Sequence, residues 1–158
     1  MRKLILVLAF TFTACSTVSS SLKYTEGTKA LEAGDFERAA VLLYEATELD
    51  PGLSRNHNNL ASALFELDRL EEGWPHVRQA VELDPRNKHA AHNSRRYIVA
   101  LLQKADLNTG ASKEDIVRAL GEPDGRDAGE ECIWYRYGIS GLCFKENRFA
   151  EIGGARYR

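Results

Sequence analysis

The sequence has no surplus of charge. Twenty-one Lys and Arg stand against 23 Asp and Glu, a formal net charge of −2 over 158 residues. Without a basic excess to neutralise phosphates, nothing points to a nucleic-acid binder. Nor is there a long apolar run. The N-terminal one, Leu4 to Ala14, has eleven residues, too few for a bilayer-spanning helix, which takes about 20. Cysteine is scarce, at three residues, and no two form a Cys-x-x-Cys redox pair. No nucleophile stands with a base in a distinctive context, and no paired acids frame a cleft, so no enzyme is indicated. What is there is ordinary globular material: 44% apolar and 28% charged residues, which excludes wholesale disorder and collagen-like architecture. The length fits one domain or two small ones.

The apolar run follows Arg2 and Lys3 and has the length of a secretory signal's core. It stops at Phe12-Thr13-Ala14-Cys15. That tetrapeptide resembles the bacterial lipobox, in which the chain is cleaved before a cysteine that then carries lipid; the alternative is a plain signal peptide with an incidental Cys15. The resemblance implies a signal peptide over 1–14 and lipid on Cys15. It also implies a mature net charge of −4 and, with Ser16 next in line, an outer-membrane address. Residues 16–21, Ser-Thr-Val-Ser-Ser-Ser, read as a flexible tether, so the lipidated tether is expected over 15–21. If Cys15 is lipidated, Cys132 and Cys143 remain as a pair eleven residues apart in an oxidising compartment. A cross-strand disulfide and two separate apolar thiols are equally open, because one sequence does not fix strand register.

The chain repeats itself. Residues 43–53 (LYEATELDPGL) and 77–87 (VRQAVELDPRN) align at a spacing of 34, with Ala46 matching Ala80, Asp50 matching Asp84 and Pro51 matching Pro85. Apolar residues at helical spacing predict helices near 22–33, 36–49, 54–67, 70–83 and 87–105. Gly34 suits the tight turn between the first two. Pro51 and Pro85 end the second and fourth, and Pro75 is placed to kink or shorten the fourth. The 34-residue period and the run KALEAGDFERAAVLLYEATELDP resemble the tetratricopeptide-repeat family, over about two and a half units spanning 22–106. That resemblance implies an α-α superhelix whose alternate helices line a groove for extended peptides. Carried over position by position, the groove residues are Tyr24, Thr28, Asn58, Asn59, Ser62, Phe65, His89, His92 and Arg96. Asn59 falls where an amide bonds a ligand backbone. For each, plain solvent-facing helix surface is the competing reading. His89 and His92 stand three apart without a third ligand nearby, so no metal is expected.

From residue 107 the pattern changes. Ser112 can cap a short helix with Ile116, Val117 and Leu120 on its apolar face; Gly121 and Pro123 end it. The segments 132–138 (CIWYRYG), 141–145 (GLCFK) and 148–152 (RFAEI) then predict three antiparallel strands, with Asn147 in the last turn. KEDIVRALGEPD (113–124), Trp134-Tyr135, Leu142, Phe144, Phe149 and Ile152 resemble the SmpA/OmlA (BamE) family of small outer-membrane lipoproteins. Trp134 and Tyr135 must point to opposite faces of the sheet. One aromatic face is therefore exposed unless the helices cover it, and an exposed one would suit a partner.

The fold class expected is α+β: repeats over 22–106, then a helix-plus-sheet module over 107–158. The function expected is that of a non-enzymatic interaction scaffold without cofactor, lipid-anchored at the outer membrane and facing the periplasm. Its partners would be envelope proteins or peptides. The alternatives are an accessory subunit of outer-membrane protein assembly and a binding regulator of a cell-wall enzyme.

Overall fold

A computed structural model shows an α+β chain in which six helices precede a four-stranded antiparallel sheet. The structure describes residues 18–128, 132–138 and 140–154. Residues 1–14, where a signal peptide is expected, and Cys15 lie outside the described residues. The helices are α1 (18–32), α2 (Phe36–Leu49), α3 (Ser54–Glu66), α4 (Leu70–Leu83), α5 (Lys88–Lys104) and α6 (Lys113–Leu120).

The 34-residue spacing governs the backbone as well as the sequence. After α1, Gly34 N–H bonds Leu31 O and Asp35 N–H bonds Ala30 O; after α3, Asp68 N–H bonds Phe65 O and Arg69 N–H bonds Leu64 O. Both turns need a residue in the left-handed region, supplied by Gly34 (φ 77) and Asp68 (φ 56). At the ends of α2 and α4, Asp50 and Asp84 close onto Ala46 O and Ala80 O. Each of those carbonyls also accepts from a serine 34 residues apart, Ser20 at 3.0 Å and Ser54 at 2.8 Å. Pro75 neither shortens nor ends its helix: α4 has 14 residues, as α2 has.

Ser20 overturns part of the tether reading. Residues 18–21 are helical, and Ser20 is fully buried with its hydroxyl on α2 and under the Asn56 amide. Small polar residues suggest a loop, but here one hydroxyl repeats the stitch that Ser54 makes in the next unit.

Ser112 caps α6 as expected, accepting from Asp115 N–H at 3.2 Å. Gly121 (φ 80) ends the helix. The sheet has four strands, not three: β1 (Gly125–Ala128), β2 (Ile133–Tyr137), β3 (Ser140–Lys145) and β4 (Arg148–Gly154), paired in that order. The additional strand, β1, reads Gly-Arg-Asp-Ala and carries no β-branched or aromatic residue. It forms because Gly125 leaves room for the Arg136 guanidinium, and Asp127 pairs with Arg136 at 3.0 Å. Glu146 and Asn147, both at positive φ, make the two-residue turn between β3 and β4.

Tyr135, Tyr137, Leu142, Phe144 and Phe149 point inward and join Trp74, Val77, Tyr97, Ile98, Ile116 and Leu120 in one core. The helices and the sheet therefore share a core. Trp74 Nε1 donates to Leu120 O at 2.8 Å, and the Tyr137 hydroxyl to Gly121 O at 3.0 Å. Arg78 pairs with Asp124 at the same junction. A separate core holds α1, α2 and α3 together around Leu43, Leu60 and Leu64.

Candidate functional site: a groove across alternate helices

Helices α1, α3 and α5 lie on one side of the stack, two apart in sequence order, and their polar residues meet. A chain of hydrogen bonds crosses all three. Asn93 on α5 donates to Asn58 Oδ1 at 3.0 Å and to the Ser62 hydroxyl at 2.9 Å. Asn58 donates to Asn59 Oδ1 at 3.1 Å. Asn59 in turn donates to the Thr28 hydroxyl at 3.0 Å and to the Tyr24 hydroxyl at 3.4 Å on α1. Buried amides are costly unless bonded, so this ladder fixes the spacing of the three helices.

The ladder floors a groove of about 400 Å³ lined by Tyr24, Arg55, Asn58, Asn59, Ser62, Asn87, His89, His92 and Asn93. A second hollow of about 340 Å³ shares His92 with it and adds Phe65, Arg95, Arg96, Val99, Ala100 and Gln103. Of the nine residues singled out from the sequence, eight line these two hollows, and Thr28 touches the floor through Asn59.

Their roles differ from the expected ones in one respect. Both Asn59 N–H groups are engaged within the protein, so the side chain left to donate to a ligand is not this amide. Tyr24 and Thr28 accept from Asn59 and keep their own hydroxyl hydrogens. The rim is cationic. Arg55 lies over the Tyr24 ring at 4.8 Å, and Arg96 over Phe65 at 4.0 Å while bonded to Glu66 at 3.0 Å. Arg95 is exposed beside it. Burial is what separates the two kinds of residue here: Asn58 and Asn93 are buried, while Arg55, His89, His92 and Arg95 face solvent.

Arg55, Asn93 and Val99 were not among the sequence candidates. Each stands 34 positions from one that was: His89, Asn59 and Phe65 respectively. The repeat was the signal that would have found them.

On the sheet, Cys132 and Cys143 are joined, with Cα atoms 5.7 Å apart. The register sets Trp134, not Cys132, opposite Cys143, so the bridge runs diagonally. Glu151 lies against it: the ligand atoms of Cys132, Cys143 and Glu151 fall within 4.8 Å of one another. With the sulfurs bonded to each other, neither is a thiolate free to ligate. Trp134 is on this outer face, half-buried, its ring over Gly153. The other aromatics of the sheet are inside.

Away from the groove, His57 and His76 meet at the seam of α3 and α4, Nδ1 to Nδ1 at 3.1 Å. His57 Nε2 donates to Pro51 O at 3.0 Å. Burial, and then the neighbouring His57, hold the His76 imidazole below its ordinary pKa.

Among the described residues no helix is long and apolar enough to cross a membrane. No family model and no curated protein matches the chain.

Proposed function

We propose that residues 18–104 form a tetratricopeptide-type stack whose groove receives an extended, acidic segment of another envelope protein. The chain holds it without transforming it. Lipid on Cys15 anchors the protein at the outer membrane, facing the periplasm. One observation carries the binding reading: residues from three helices line two hollows that share His92, with a polar floor and a cationic rim. An extended peptide offers backbone carbonyls to the Tyr24 hydroxyl and carboxylates to Arg55 and Arg95. The volume, about 400 Å³, is in the range that ordinary ligand sites occupy.

The test is binding of the Cys15→Ala full chain to immobilised unstructured peptides of graded charge. Acidic peptides are expected to bind, with affinity falling as salt rises. Arg55→Glu with Arg95→Glu should reduce that binding at least tenfold. Equal binding of basic and acidic peptides would overturn the reading. Fatty-acid labelling of cells tests the anchor: label on the wild type and none on Cys15→Ala is expected.

A second reading, an accessory role in outer-membrane protein assembly, is favoured by the C-terminal module, where α6 ends at Leu120-Gly121 before the aromatic strand β2. Under that reading, detergent-solubilised outer membranes should yield the assembly barrel with the tagged chain. A Trp134→Ala chain, altered only on the outer sheet face, should lose it.

A further inference from the structure

The repeat identifies one surface that is exposed among the described residues. In the second unit, position 56 is internal: Asn56 is fully buried and bonds Ser20, Ala46 O and Asp50 O of the unit before it. The same position in the first unit is Leu22, and it is 60% exposed. One turn earlier Val18 is 64% exposed. These are the two most exposed large apolar side chains among the described residues. They are four apart on α1, so they share a face. Thr25 and Lys29 continue that face, and Glu26 stands beside it, so the apolar part is confined to the start of the helix.

In the second unit the preceding hairpin covers position 56; ahead of α1 stands Cys15, three positions before Val18. Three residues reach at most about 10 Å. A lipid on Cys15 thus brings the first turn of α1 to the bilayer interface, where two water-exposed aliphatic side chains gain by leaving water.

We infer that the Val18–Leu22 face of α1 lies on the lipid surface. It sets the protein's orientation, the start of the stack against the membrane and the C-terminal module away from it. This rests on the lipid-anchor reading and adds to it, because a lipid on a flexible tether alone would leave the domain free to tumble.

The test is site-directed fluorescence on the full chain, purified from bacterial membranes and placed in phosphatidylethanolamine–phosphatidylglycerol vesicles. An environment-sensitive dye goes on Leu22→Cys, on Val18→Cys, or on Tyr44→Cys, which is exposed on α2. All three positions are solvent-facing, so folding is not at risk. The expected result is a blue shift and roughly threefold weaker iodide quenching at 18 and 22, with quenching by doxyl lipid, as for side chains sunk about 5–10 Å into the interface. Position 44 should behave as in water. Mass spectrometry of the N-terminal peptide accompanies each sample. Lipid present with a water-exposed dye at 18 and 22 overturns this inference and leaves the anchor standing. Absence of lipid overturns both. A dye shielded equally in detergent and unaffected by doxyl lipid, with a doubled particle mass, assigns the face to a second copy of the chain and overturns it too.

Discussion

The hairpins α1–α2 and α3–α4 have the same backbone and different side chains. Their turns, C-caps and serine stitches recur at 34 residues, while the Asp35 side chain caps α2 and Arg69 makes no such cap on α4. Yet Ala39, Ala40 and Tyr44 of α2 become Gly73, Trp74 and Arg78 of α4. The first set leaves the outer side of α2 facing solvent, with Tyr44 and Val41 more than half exposed. The second set holds the C-terminal module through the Trp74 and Arg78 contacts to residues 120–124. Repetition builds the stack; departure from repetition gives it something to hold.

Trp74 is where this comparison breaks most easily. Its ring is buried between Tyr97 and Tyr137, with centroids 6.3 and 6.4 Å away. Trp74→Ala imposes on α4 the residue that α2 has, and should cost about 3–5 kcal/mol in urea unfolding. Trp74→Phe keeps most of the burial and orphans the Leu120 carbonyl, a loss of about 1–3 kcal/mol. If Trp74→Ala costs less than 1 kcal/mol, the module is held by something else.

Gly73 sharpens the same point. A β-carbon there would sit 1.8 Å from the Tyr97 hydroxyl oxygen, which donates to Ala61 O at 2.6 Å. The counterpart of Tyr97 on α3 is Ala63, and the counterpart of Gly73 on α2 is Ala39. Large meets absent in one pair, small meets small in the other. Gly73→Ala, the residue the repeat would supply, should therefore destabilise by about 1–3 kcal/mol through overpacking. Ala39→Gly should lose only about 1 kcal/mol of helix propensity. Thermal unfolding of the two variants ranks them, and the reverse order would refute the size-exchange account.

How much of this was legible follows the same division. The helices, their turns and the cap at Ser112 were legible because apolar spacing and special residues encode them locally. Eight of the groove residues were expected from the family resemblance, and the period applied to three of them, His89, Asn59 and Phe65, adds Arg55, Asn93 and Val99. Strand β1 was not legible: Gly125–Ala128 has no strand-forming residue, and its pairing depends on Arg136, which is eleven residues from Gly125. Ser20 was misread for a similar reason, since its partner Ala46 lies 26 positions away. Nor did the sequence reveal that Asn59 is tied up internally, because a polar residue on a groove face looks the same whether a ligand or Thr28 receives its hydrogen.

The amide ladder joins the two hairpins unequally, with hydroxyls on α1 and amides on α3. Thr28→Val removes the nearer acceptor for Asn59 while keeping shape. A net loss of about 1 kcal/mol is expected, with acidic-peptide binding weakened as well, since Thr28 holds Asn59 in the groove floor. Unchanged stability together with unchanged binding would remove Thr28 from the site.

The smallest effect separates the hairpins by pH. The seam of α3 and α4 carries His57 and His76, whereas Lys23 and Leu42 hold those positions in the first hairpin. A carbonyl only accepts, so His57 Nε2 bears hydrogen toward Pro51 O. When His57 is neutral its Nδ1 is then the acceptor, and His76 Nδ1 must donate. One further proton fits only on His76 Nε2, at a half-buried site that disfavours charge, in keeping with the lowered pKa. The native state thus binds this proton less readily than the unfolded chain. Stability is complete above the ordinary histidine range and is lost as pH falls through about 6.5 toward the depressed native value. His76→Leu, which copies Leu42, should flatten the dependence of the urea midpoint between pH 7.5 and pH 5.5. Lys23 offers no such titration in that window, because its partner Glu45, at 2.6 Å, holds its amine above an already high value. A midpoint that falls as steeply in His76→Leu as in the wild type would move the acid sensitivity out of the second hairpin, and with it the claim that the two differ there.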